Sequence, residues 1–110
     1  MKIAVVGSRN LEISDFDRYL PDTVSEIISG GAKGIDSCVE RYAREKGIPV
    51  VIFYPEYSRY GKSAPLKRNL QIIDYADMII AFWDGKSRGT KYVIDECRKK
   101  GKDITVYMHE

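Results

Sequence analysis

The stretch Ile27–Asp36, IISGGAKGID, runs from an aliphatic segment through two adjacent glycines, a lysine and a third glycine into an acidic residue. The aliphatic part reads as a short strand buried on both faces. Gly30 and Gly31 then permit a sharp turn with positive φ and a close backbone approach to a ligand. Beyond the turn, Ile35, Val39, Tyr42 and Ala43 recur at helical spacing up to Gly47 and predict an amphipathic helix. A buried strand that turns through glycine into such a helix is half of a strand-helix-strand unit.

The rest of the chain repeats the pattern. KIAVVG, PVVIFY, ADMIIAF and DITVYM are further β-branched or aliphatic runs, and with SEIISGG they make five predicted strands, all expected to be buried on both faces. Ser14 is placed to cap a short first helix that runs through Tyr19 and Leu20 and stops at Pro21. A third helix is predicted from Ala64, with Pro65 in its first turn and Leu66, Leu70 and Ile73 on its apolar face. The fourth runs from about Thr90, buries Val93, Ile94 and Cys97, and stops at Gly101. This alternation predicts an α/β fold, a three-layer α/β/α sandwich around a five-stranded parallel sheet. In such sheets ligands bind beyond the carboxyl ends of the strands, where the strand order reverses. The polar, glycine-bearing turns GSRN, SGGAKGID and WDGKSRGT follow strands one, two and four, and the order 3-2-1-4-5 brings those three ends together. The alternative order 2-1-3-4-5 would put strand three between strands one and four, so the former is expected.

A chain of 110 residues is expected to form one domain over 1–110, burying roughly two thirds of its unfolded surface. The formal net charge of +2 does not by itself imply a nucleic-acid or membrane partner. No apolar run approaches the ~18 residues of a membrane span and no signal-like start is visible, so a soluble, cytoplasmic protein without a membrane partner is expected. Cys38 and Cys97 lack CxxC spacing and fall on apolar helical stripes, which reads as reduced core thiols and no metal site. The sole histidine, His109, is the penultimate residue, which removes Ser-His-Asp and Cys-His chemistry unless the tail folds back.

In the opening stretch, free N–H groups at the helix start near Ile35 favour an anion, Lys33 adds a full positive charge, and Gly34 admits close packing. A phosphate or ribose phosphate fits this turn. Asp36, at the helix start, is expected to be held ionised by backbone donors. YGKSA and DGKSR contain Gly-Lys-Ser, but Glu56 and Ile80 stand where a P-loop requires its earlier glycine. No GxGxxG follows strand one. In GSRN, Gly7 allows close approach, Ser8 offers a hydroxyl and Arg9 can pair bidentately with a phosphate. Trp83 can stack on a base and Asp84 can accept from a sugar hydroxyl, while Gly89 and Thr90 open the last helix with backbone donors. In KRN, Asn69 falls near the edge of the predicted apolar face, whereas Lys67 and Arg68 are expected to point away. Each turn also has a purely structural account: tight connections favour glycine, a loop-tip arginine is solvated, and Trp83 can be rim packing.

GSR after strand one, SGGAKGID, KRN with IIDYADMIIAF, and GKSRGT together resemble the SLOG superfamily of Rossmann-like domains. The resemblance is strongest to small stand-alone domains of the YspA type and to the Rossmann core of the DNA-processing protein DprA/Smf. It covers nearly the whole chain, and the turn Ser29, Gly30, Gly31, Ala32, Lys33, Gly34 to Asp36 is its most specific part. It implies a pocket for a nucleotide or nucleotide-derived ligand and, through DprA, a single-stranded DNA surface. The related LOG phosphoribohydrolases carry a PGGxGTxxE turn whose glutamate is catalytic. Here Glu96 stands six residues beyond Thr90, away from that spacing. The expected function is binding or sensing of a nucleotide-derived molecule, without a cofactor. N-glycosidic hydrolysis or transfer using Asp36 or Asp84 is an alternative, as is single-stranded nucleic-acid binding, and a homo-oligomer is left open.

Overall fold

A computed structural model describes residues 1–109. Its strands are β1 (Lys2–Gly7), β2 (Glu26–Ser29), β3 (Val50–Ile52), β4 (Met78–Trp83) and β5 (Ile104–Met108). All pairings are parallel and the order is β3-β2-β1-β4-β5, as the positions of the polar turns predict. Chain direction across the sheet therefore reverses between β1 and β4, whose register sets Ile3 opposite Met78 and Gly7 opposite Phe82.

Strand alternation divides the core into two layers. Ala4, Val6, Ile28, Ile79 and Ala81 face one way, towards Ile72, Ile73 and Ala76 of the α3 region (Ala64–Tyr75) and Val93, Ile94 and Cys97 of α4 (Arg88–Lys100). Ile3, Val5, Ile27, Ile80 and Phe82 face the other way, towards Ile35, Val39 and Ala43 of α1 (Ile35–Lys46) and towards Phe16 and Leu20. The remaining helix, α2 (Tyr57–Tyr60), is a single turn between β3 and α3, continued by a 3-10 turn at Gly61–Ser63. The sequence pattern missed this insert, whose residues bury no side chain.

Three expectations are corrected. The predicted first helix is only a 3-10 turn, Phe16–Arg18, preceded by Asp15 rather than capped by Ser14. Phe16 decides this, because its fully buried ring packs against Tyr42 and Phe82 at centroid distances of 5.5 and 5.8 Å and anchors the connection without a helix. Secondly, β3 and β5 are only half-buried, since an edge strand has a neighbour on one side alone. Thirdly, the inner face of α3 is Ala64, Arg68, Asn69, Ile72 and Ile73, whereas Leu66 remains 42% exposed. Cys97 is buried as expected, where burial pushes its thiol up to about 11, but Cys38 is only half-buried; both are free thiols.

The start of α1 depends on one close approach. Gly34 has φ +74°, and a Cβ there would sit 2.5 Å from the carbonyl oxygen of Arg9, so the loop after β1 lies directly on the turn after β2. Gly47, which ends α1, has φ +70° but open space around it. Gly47→Ala should cost only the left-handed backbone penalty of roughly 1–2 kcal/mol. Gly34→Ala adds a collision with backbone that cannot rotate away and should cost clearly more in urea denaturation; equal losses would show that the Arg9 loop yields freely.

Candidate functional site

Where the chain direction reverses, the carboxyl ends of β1, β2 and β4 open into a cleft of about 130 Å³. Gly7 and Arg9 border it from β1, Gly30, Ala32 and Asp36 from the glycine-rich turn, and Ser87, Gly89 and Thr90 from the start of α4. Pro65, Leu66, Arg68, Asn69 and Ile72 of α3 close the remaining side.

Each wall follows from local sequence. Asp84 Oδ1 accepts from the N–H groups of Lys86 and Ser87, both at 2.8 Å, which folds DGKS into a turn. Those donors, Ser87 first and then Lys86, hold the Asp84 carboxyl below its ordinary range. Ser87 then caps α4, its Oγ accepting from Thr90 N–H at 3.5 Å. The N–H groups of Arg88 and Gly89 precede the first intrahelical bond and give this end its anion preference. In the opposite wall, Ser29 Oγ donates to Glu40 Oε2 at 2.6 Å and accepts from Gly31 N–H at 3.2 Å, pinning the turn. Gly31 has positive φ as expected, but Gly30 does not.

Gly30 has another reason to be glycine. A Cβ there would lie 2.7 Å from Arg68 Nη1 and 3.0 Å from Asp36 Oδ2, so both charged groups crowd its backbone. Arg68 Nη1 donates to the Gly30 carbonyl and Nε donates to Asn69 Oδ1 at 2.8 Å. Arg68 is thus only 9% exposed, against the expectation that it points away. Ile72 and Ile73 explain the correction, because one turn back from them lie Arg68 and Asn69. Had the apolar face been drawn through Ile72 rather than Leu66, the sequence would have placed Arg68 inside. Burial draws its basicity down, while the negative charge of Asp36 opposes this and Arg9 adds to it.

Asp36 is 7% exposed and accepts from Ala32 N–H at 3.1 Å. Burial pushes its carboxyl up to about 6, outweighing the Ala32 donor and the Arg68 charge, so the expected ionised form holds at neutral pH but is lost in mild acid. The five ion pairs among the described residues are all on the surface, so Asp36 and Arg68 influence each other without a direct bridge.

Of the sequence candidates, Gly7, Arg9, Gly30, Ala32, Asp36, Asn69, Gly89 and Thr90 line the cleft. Ser8, Ser29, Gly31, Lys33, Gly34, Trp83 and Asp84 do not. Ser8 is buried, its Oγ accepting from Asp84 N–H at 3.2 Å. Trp83 donates its indole N–H to the Ser87 carbonyl at 3.0 Å and packs on the core. Lys33 is exposed. His109 donates its backbone N–H to the Trp83 carbonyl at 2.8 Å, with its ring near Phe82 and outside the cleft. Among the described residues no cluster of His, Cys, Asp and Glu is arranged to hold a metal. No described helix is long and apolar enough to cross a membrane.

A parallel sheet ordered 3-2-1-4-5 with a glycine-lined cleft at its reversal point defines a Rossmann-like α/β protein. The chain belongs to the YspA, cpYpsA-related SLOG family, whose model matches residues 1–60. It is similar to the Gene 61 protein of Mycobacterium phage D29, with 32% identity over 81 residues covering 68% of this chain. The match spans 65% of that relative's length. No solved structure matches.

The raised Asp36 carboxyl makes stability depend on pH. A carboxyl that titrates at 3.8 when unfolded and about 6 when folded costs nothing below 3.8, and its penalty grows until the pH passes about 6. Asp36→Asn cannot titrate. Relative to that variant, the wild type should lose roughly 2 to 2.5 kcal/mol between pH 4 and pH 7 and almost no more above it. Urea denaturation of both proteins across this range checks the result; parallel profiles would mean that Asp36 titrates normally.

Proposed function

We propose that the cleft binds the phosphate-bearing end of a nucleotide or nucleotide-derived molecule and that the protein is a binding or sensing module. The observation that carries this is the guanidinium of Arg68 set into the cleft wall. Two of its nitrogens are held by Gly30 and Asn69, while Nη2 bonds to none of the described residues. Arg9 and the opening turn of α4 border the same space. Two arginines and one carboxyl, Asp36, line the cleft, with the Glu40 carboxylate acting from behind Ser29, and the balance turns positive as Asp36 protonates below about 6. A fixed arginine and free helix-start donors are an anion site. Volume limits what enters: about 130 Å³ is below the roughly 300 Å³ at which whole-ligand pockets begin. A phosphate fits inside, and the sugar and base extend towards the mouth. Membership of the SLOG family supports a nucleotide-related ligand.

Isothermal titration with ribose 5-phosphate should show binding that Arg9→Ala weakens about tenfold, the lower end of what hydrogen bonds to charged groups supply. Arg9 is exposed, so the variant keeps the fold. An unchanged affinity would remove Arg9 from the site, and no binding by the wild type would reject the phosphate assignment.

One observation favours a second function. Asp36 is a buried carboxyl in the cleft, raised to about 6, which suits proton transfer or attack in N-glycosidic cleavage. A binding module leaves nucleoside monophosphates intact after long incubation, and intact nucleotide is the expected chromatographic result. Free base produced by the wild type and not by Asp36→Asn would make the protein a hydrolase.

A further inference from the structure

The geometry points to a nucleobase platform formed by Tyr54 and Tyr57 beside the cleft, an assignment that rests on the phosphate site proposed above. Six large apolar side chains stay exposed among the described residues, and three of them, Tyr54, Tyr57 and Leu66, gather here. Tyr54 follows β3 at the carboxyl edge of the sheet and leans on the glycine-rich turn: a Cβ on Gly31 would meet its ring at 2.8 Å. Tyr57 opens α2, and its phenol is near enough to Arg68 to act on the guanidinium. Leu66 lines the cleft itself.

Neither ring belongs to the core. Tyr54 is 64% exposed and Tyr57 58%, and neither pairs with another ring or makes a side-chain hydrogen bond among the described residues. Tyr75 shows the contrast, since it packs on Phe53, donates to Glu26 and lies under Lys2. Trp83, the base-stacking candidate of the sequence, is tied to Ser87 and the core instead. A ligand whose phosphate lies at Arg68 has no room in the cleft for its base. On the β3 side of the mouth, the surface it meets is aromatic. Every base has a π-face, so such a platform favours nucleotides over sugar phosphates with little choice among bases.

The test compares AMP, GMP, CMP and UMP with ribose 5-phosphate by isothermal titration on the wild type and on Tyr54→Ala, Tyr57→Ala and Tyr54→Phe. In the wild type all four nucleotides should bind more tightly than ribose 5-phosphate. Each alanine variant should weaken the nucleotides roughly 5- to 150-fold, the range for loss of one stacked base, and leave ribose 5-phosphate unchanged. Tyr54→Phe should keep the wild-type preference. Ribose 5-phosphate binding with no preference for nucleotides, or equal loss for both probe types in Tyr57→Ala, would overturn the platform and leave the phosphate site standing. Binding of neither probe would reject both. Binding of an octanucleotide at ~150 mM salt without mononucleotide binding would also overturn the platform, assigning the tyrosines to a strand.

Discussion

The hydrogen bond from Arg68 to the Gly30 carbonyl joins the two halves of the molecule. Gly30 begins the segment that leads from β2 into α1 on one face of the sheet, and Arg68 comes from α3 on the other. A guanidinium so deeply placed loses hydration and requires compensation. The Gly30 carbonyl, the Asn69 amide oxygen and the nearby charge of Asp36 supply part of it. Any side chain on Gly30 would displace this arrangement, so the glycine is there for the arginine as much as for the turn.

Asp36 and Arg68 are opposite charges that stop short of a direct pair. A bridged pair would hold the carboxyl low, whereas here burial prevails and the carboxyl rises to about 6. The arrangement is weaker for stability than closed contact, but it leaves polar groups available at the reversal point of the sheet. Binding sites commonly retain such uncompensated groups. The glutamate on which LOG-type chemistry depends has no counterpart in the cleft: Glu96 lies well inside α4 and is not among the lining residues. Any chemistry in this cleft would fall to Asp36.

The insert between β3 and α3 adds what the core lacks. Its short helix and 3-10 turn bury no side chains, so its sequence is free of core constraints. It carries Tyr57 and leads into Pro65 and Leu66 at the cleft. Rigid strands and helices place the cleft, and a short surface segment shapes what can approach it.

The sequence by itself determined the sheet, its order, three of the four predicted helices and the turns that border the cleft, because strand runs, helix periodicity and glycine stops are local signals. It also placed Gly7, Arg9, Gly30, Asp36, Asn69, Gly89 and Thr90 at the right ends of the right elements. Only the tertiary structure decided where side chains with two plausible directions would go. Arg68 looked outward from an apolar face drawn through Leu66, and turned inward because α3 packs through Ile72 and Ile73. Asp36 looked like a helix-start residue held low by backbone donors, and burial beside the Gly30 turn raised its carboxyl instead. Phe16 reduced a predicted helix to a single 3-10 turn by entering the core. Trp83, expected to reach a base, packs on the core for the same reason. Periodicity assigns a residue to an element, but desolvation and packing depend on what the rest of the chain brings against it.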